Sequence, residues 1–364
     1  MIKNENEKLS PFHITVLVYM TQSGIVMFTL PRSLADFYGT NGWLFLFICF
    51  VISTFNIYLI SLVYRLGKGR SIFEILESSI PKAVLYPVYF GMASVWSIFG
   101  CMIGKKYVLM FQMIAFPTTN PMVFKVGVDI LLYLLLLKGI YNISKAATLF
   151  FWMTIWMYPL LLVFLPNFEW VRLTPFIFKG GHDMIKGGAE IYAAFLGYEL
   201  SILFFPYVDK KKKAMLAIYA GNAFLTLIYF SLAIVCFGFF SLGQLKKLLF
   251  PLIDLLALIH FPFVERLENL LFGFFLFLIL ITVVMYIWAG LEAVTRITPK
   301  AKSPLFIFIT VLVTFCIAII PKTIDQVNAW ITNLGYVVTG IGFGLPIILI
   351  IVLLIQGKGR ESHA

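Results

Sequence analysis

The first long apolar segment, residues 11–37, is long enough to cross a bilayer as a helix, which takes roughly 20 residues, yet its centre reads Thr21-Gln22-Ser23-Gly24. Ser and Thr side chains compete for the local backbone, and glycine costs about 1 kcal/mol against alanine inside a helix. Pro31 follows, with no N–H to offer the carbonyl of Met27. In lipid an unmet backbone group is so costly that such a break persists only where protein covers it or where it lines a cavity. The segment is therefore expected to be a discontinuous helix whose gap, near residues 23–25, is available to a ligand.

The rest of the chain has the same solvent. Of 364 residues, 61% are hydrophobic and 12% charged, with a mean hydropathy of +0.96, so the chain is an all-α polytopic membrane protein. Residues 1–10 are polar with mixed charge and lack the short apolar core of a cleavable signal, so the first span is expected to be retained. The net charge of +11 sits in short basic blocks between apolar spans, a pattern of membrane orientation and not of nucleic-acid binding. Cys49, Cys101, Cys236 and Cys316 fall in separate apolar segments, and His13, His182, His260 and His363 are equally scattered. Free, apolar-behaving thiols are expected, and neither a metal nor a cofactor is called for.

About ten spans follow: 11–37, 43–64, 81–116, 123–137, 146–165 with a kink at Pro159, 189–208, 214–240, 270–294, 305–320 and 331–355. Ser71 to Glu74 is a capping-box pattern that predicts a short interfacial helix, and residues 241–268 predict a loop bearing one short helix. Trp96, Gly100 and Gly104 share one helix face, as do Thr282, Tyr286 and Gly290, and the two glycines of the first set allow another helix to come close. Lys105 and Lys106 have two readings: both snorkel to the outer interface, or one faces a water-filled cavity. With a cytoplasmic N-terminus, 17 Lys and Arg fall on inner segments against 11 on outer ones, which puts both termini inside.

Span six repeats the anomaly of span one: Leu196-Gly197-Tyr198-Glu199 places a glycine and an acid at mid-span. Residues 11–165 and 189–355 then form two five-helix units within one transmembrane domain, each headed by a broken helix, the 5+5 inverted repeat of LeuT-like transporters. Half-helix N-termini suit a carboxylate and half-helix C-termini an ammonium, so paired breaks suit an amino acid. The alternative is that Gly24 and Gly197 are packing glycines in continuous helices. The candidate ligand-binding residues are Thr21, Ser23, Gly24 and Ile25 at the first break and Leu196, Gly197, Tyr198 and Glu199 at the second. Trp96, Gly100, Thr282 and Tyr286 are candidate side walls. Glu199 is read either as bonding the freed N–H groups of the break or as a direct ligand or proton-coupling group, and Tyr198 either as a gate or as a packed ring.

Leu30-Pro31-Arg32 after the first break, Gly197-Tyr198-Glu199 at the second, Phe263-Val264-Glu265-Arg266-Leu267-Glu268 before span eight and Pro321-Lys322 after span nine resemble the spore germination receptor B subunits. The resemblance covers most of the chain in order and spacing. It implies a subunit with the amino acid/polyamine/organocation transporter fold in the inner membrane of a bacterial endospore. Such a subunit binds a small-molecule germinant, often an amino acid, and signals to a partner A subunit and a lipoprotein C subunit. The motif carries over to Pro31, Arg32, Gly197, Glu199, Glu265 and Arg266, of which Arg32, Glu265 and Arg266 are candidates for gating or partner contact.

The functional readings are thus a germinant-sensing subunit and a proton-coupled amino-acid permease. An intramembrane enzyme needs paired acids, a metal set or a nucleophile–base pair at useful spacing, and the spans offer none.

Overall fold

The computed structural model describes residues 8–174, 177–209, 213–259 and 267–361. Helix α1 (Pro11–Gln22) begins at Ser10, whose hydroxyl accepts the His13 N–H at 3.2 Å, with Pro11 at the first position, where the missing N–H costs nothing. It ends where the sequence predicts. Ser23 leaves the helix, Gly24 is extended, a 3-10 turn covers Ile25–Phe28, and α2 (Leu30–Tyr38) restarts with Pro31 in its first turn.

Next come α3 (Phe45–Leu66), the capping-box helix α4 (Ile72–Glu77), α5 (Lys82–Ala115), α6 (Pro121–Leu136) and α7 (Gly139–Ile155). At Pro159 the fifth span changes helix type, continuing as a 3-10 segment over Tyr158–Asn167. The sixth span starts as α8 (Met184–Tyr192), tightens over Ala193–Phe195, breaks at Leu196 and Gly197, and resumes as a 3-10 segment, Tyr198–Tyr207.

After α9 (Ala214–Phe239) the expected loop holds two short helices and not one: α10 (Leu242–Lys247), capped by Ser241, and α11 (Pro251–Leu256), which Pro251 opens. Then follow α12 (Leu267–Thr295), α13 (Pro304–Ile319) and α14 (Ile324–Glu361). Seven helical stretches among the described residues are long and apolar enough to cross a membrane. With the shorter α6 and α13 and the broken α1–α2 pair, these helices match in order and number the ten spans expected from the sequence.

Hydrogen bonds join the helix ends that an even number of spans brings to one face. Leu9 N–H donates to Tyr207 O at 2.9 Å, Tyr207 Oη to Glu292 at 3.1 Å, Arg296 to Ser71 at 3.3 Å, and Arg70 to Gln356 at 3.4 Å. On the opposite face Tyr38 Oη donates to Met184 O at 2.7 Å and Asn41 to Leu173 O at 2.6 Å, tying α2 to the segment that leads into α8.

Inside the bundle α12 runs along α5. A Cβ added at Gly100 would lie 2.8 Å from Tyr286 Cβ and 3.2 Å from Val283 O, so the absence of a side chain sets the helix separation. The large apolar residues that stay exposed, such as Phe47, Val51 and Phe55 on α3 and Leu305, Phe308 and Leu312 on α13, lie at helical spacing on outward faces. Lipid tails are as apolar as these side chains, so nothing drives them inward.

Candidate ligand site at the helix breaks

The two breaks meet. Gly197 has φ +124° and ψ −33°, a backbone region that L side chains rarely enter, and an added Cβ would lie 3.0 Å from the backbone of Thr21 and Gln22. Freed carbonyls around this crossing have side-chain donors. Gln22 Nε2 donates to Phe195 O at 2.7 Å and to Asn222 Oδ1 at 3.1 Å, which places α9 behind both breaks. Tyr229 Oη shares its proton between Gln22 O at 3.1 Å and Ala194 O at 3.3 Å. Thr282 Oγ1 donates to Met20 O at 3.2 Å. Backbone groups unwound at membrane depth need such partners, and mid-span amides and hydroxyls supply them.

Glu199 closes the second break. It is 4% exposed; its Oε2 accepts the Gly197 N–H at 2.6 Å and its Oε1 accepts the Tyr286 hydroxyl at 2.7 Å. The carboxylate thus caps its own break and ties it to α12. Tyr198 points the other way. Its hydroxyl lies 2.6 Å from Tyr192 Oη and accepts from Asn56 Nδ2 at 2.9 Å, while the same amide donates to Gly342 O on α14 at 3.0 Å. The ring is therefore tied on both sides. Trp96 and Glu199, with Gly342, line a residual space of about 10 Å³, room for about one water.

A larger cavity of about 300 Å³ opens beside the breaks, walled by α2, α5, α8 and α14. Arg32 and Asp36 reach it from α2, Lys106 from α5, Glu190 from α8, and Asn328 and Thr332 from α14. Its lining includes Val26 and Ala193, which sit in the 3-10 turns flanking the first and second breaks.

The sequence-derived residues divide accordingly. Thr21, Ser23, Gly24, Ile25, Leu196, Gly197, Tyr198 and Glu199 lie buried around the crossing, with Trp96, Thr282 and Tyr286 packed close by. Thr21 Oγ1 is turned back to Leu17 O at 2.6 Å, whereas Trp96 Nε1 has no hydrogen-bond partner among the described residues. Gly100 faces α12. None of these twelve residues lines the larger cavity, and Arg32 does. Glu265 and Arg266 lie outside the described residues.

Of the two adjacent lysines, Lys105 donates to Met122 Sδ at 3.1 Å and Lys106 is the one that meets a cavity. Residues that the sequence reading passed over include Gln22, Asn56 and Asn222, whose signal is an amide inside an apolar run. Another is Asp129, which pairs with Lys125 at 2.5 Å inside α6; its signal is an acid four residues after a lysine within a span.

Comparison with known proteins matches the spore germination protein family over residues 8–327. The chain belongs to that family. Spore germination protein GerQB of Bacillus cereus is 24% identical, covering 91% of this chain and 92% of its own length. Spore germination protein A2 of Bacillus subtilis (strain 168) is 26% identical, covering 96% and 97%. Among solved structures, the Eremococcus coleocola manganese transporter in complex with an aromatic bis-isothiourea substituted compound superposes with a TM-score of 0.57 at 12% identity, over 98% of this chain and 90% of the transporter. That likeness is one of fold. This member of the family is thus an integral membrane protein with a LeuT-like transporter fold and a receptor or permease-like role.

Proposed function

We propose that this germination protein is the ligand-sensing subunit of a nutrient germinant receptor, seated in the spore inner membrane with both termini on the core side. It binds a small molecule, an amino acid, beside the broken helices and signals through a partner A subunit and a lipoprotein C subunit. The observation that carries the reading is the 300 Å³ cavity whose lining includes the turns beside both breaks, Val26 and Ala193, at the lower end of the size range of small-molecule pockets. An occupant touches both discontinuous helices at once. If residues 11–165 and 189–355 act as two five-helix units, it bridges them at the seam where they move. A ligand shifts such an equilibrium only through different affinity for the two arrangements, and contacts with both breaks supply that difference.

A proton-coupled amino-acid permease is the second reading, favoured by the buried carboxylate of Glu199 at the break. The purified chain in proteoliposomes distinguishes the two. The sensor reading expects a bound amino acid and no concentrative uptake under an imposed proton gradient. Robust uptake by the chain alone, abolished by Glu199→Gln, establishes the permease instead. Glu199→Gln is in either case expected to cost about 1–2 kcal/mol in thermal unfolding, because the amide has one acceptor oxygen for the two donors, Gly197 N–H and Tyr286 Oη, that the carboxylate now accepts from.

A further inference from the structure

The breaks are expected to meet a ligand's charges with free backbone groups, but here the Gly197 N–H and the carbonyls of Met20, Gln22, Ala194 and Phe195 already have side-chain partners. Those groups are therefore not available to a ligand's charges. Lys106 is 6% exposed, lies in the wall of the larger cavity, and has no hydrogen bond or ion pair to any described residue. A buried ammonium without an anion costs several kcal/mol unless something in its cavity compensates it. Lys125, in contrast, has Asp129. The same cavity carries Asp36 and Glu190 on its other walls, and neither forms an ion pair with Lys106.

We propose that Lys106 is the carboxylate-binding group of the ligand site, with Asp36 and Glu190 facing the ammonium, so that the ligand is a zwitterion with a free carboxylate, such as an unmodified amino acid. Arg32, on the Asp36 helix, sits in the cavity wall with them and brings its formal charge to balance. A neutral sugar or nucleoside leaves the Lys106 ammonium without a partner and binds worse for that reason. The inference rests on the receptor reading and deepens it, by naming the residue that selects the ligand's carboxylate.

The test is calorimetric titration of the detergent-purified full chain with the standard free amino acids, a hexose and a nucleoside, followed by the α-carboxamide of each amino acid that binds. The wild type is expected to bind at least one amino acid and to bind its carboxamide about 30-fold more weakly or worse. Lys106→Met is expected to lower the amino acid to the carboxamide's level while leaving the carboxamide unchanged, and Lys106→Arg to restore most of the difference. Because Lys106→Met removes an unpaired buried charge, its thermal midpoint without ligand is expected to equal or exceed the wild type's.

Equal affinity for amino acid and carboxamide, undiminished amino-acid binding by Lys106→Met, or no binding by any member of the panel overturns the proposal. Binding of the hexose or nucleoside alone overturns it, and leaves the sensor role intact with a ligand other than an amino acid. Dependence on Lys106 with no effect of substitutions at Gly24 and Gly197 sustains it and removes the role of the breaks.

Discussion

Asp129→Ala is expected to destabilise the solubilised protein by about 3–5 kcal/mol, the cost of leaving a buried cation without its partner. Lys125 and Asp129 face one another across one turn of α6 at 2.5 Å, with side chains 1% and 7% exposed. The lysine cannot snorkel to water from such a position, and the second oxygen of Asp129 has no partner among the described residues. Removing the acid therefore strands the ammonium at full desolvation cost. The double variant Lys125→Met with Asp129→Leu is expected to recover most of the loss, since well-packed apolar groups often replace a buried ion pair at little cost. Thermal unfolding of the four combinations measures the coupling, and additive losses from the two single substitutions would contradict it.

Gly197→Ala is expected to be nearly as damaging, and Gly24→Ala almost silent, although both glycines mark helix breaks. At Gly197 the positive φ costs an L residue about 1–3 kcal/mol, and the new Cβ also sits 3.0 Å from the Thr21 and Gln22 backbone, where neither atom can move without disturbing the first break. Overpacking of that kind adds a cost of similar size. Gly24 has φ −93° and nothing nearer than Gln22 O at 3.8 Å to its Cβ position, so alanine fits there. Thermal midpoints of the two variants in one detergent decide the matter. Equal effects would mean that the breaks do not cross as described.

That contrast also shows what a sequence can carry. Both breaks were legible because Gly, Ser and Pro inside a membrane-length apolar run violate a strong backbone rule, and the capping box at Ser71 and Glu74 was legible because its chemistry is local. The direction in which a side chain points is not local. Gly100 serves the approach of α12 and Tyr198 is tied to α3 and α14 through contacts more remote than any spacing rule reaches, whereas the bond of Glu199 to the Gly197 N–H, two residues away, is one of the two readings that its place in the break offered. Lys105 and Lys106 look alike in sequence, and the 100° turn between neighbours on a helix sends one to Met122 and the other to the cavity. The second short helix before α12 was missed because six-residue helices carry little periodicity beyond their opening proline.

The most direct test of the paired-break account is the affinity of Gly24→Leu for the amino acid that binds the wild type, measured by the same titration. With φ −93° and nothing nearer than 3.8 Å to its Cβ position, the Gly24 backbone accepts a side chain without strain, so the folded protein is expected to persist while the leucine crowds the first break. The account predicts a loss of affinity of about 30-fold or more with a thermal midpoint near the wild type's, whereas Gly197→Leu, strained in its backbone, is expected to lose affinity and stability together. Wild-type affinity in both variants would contradict it.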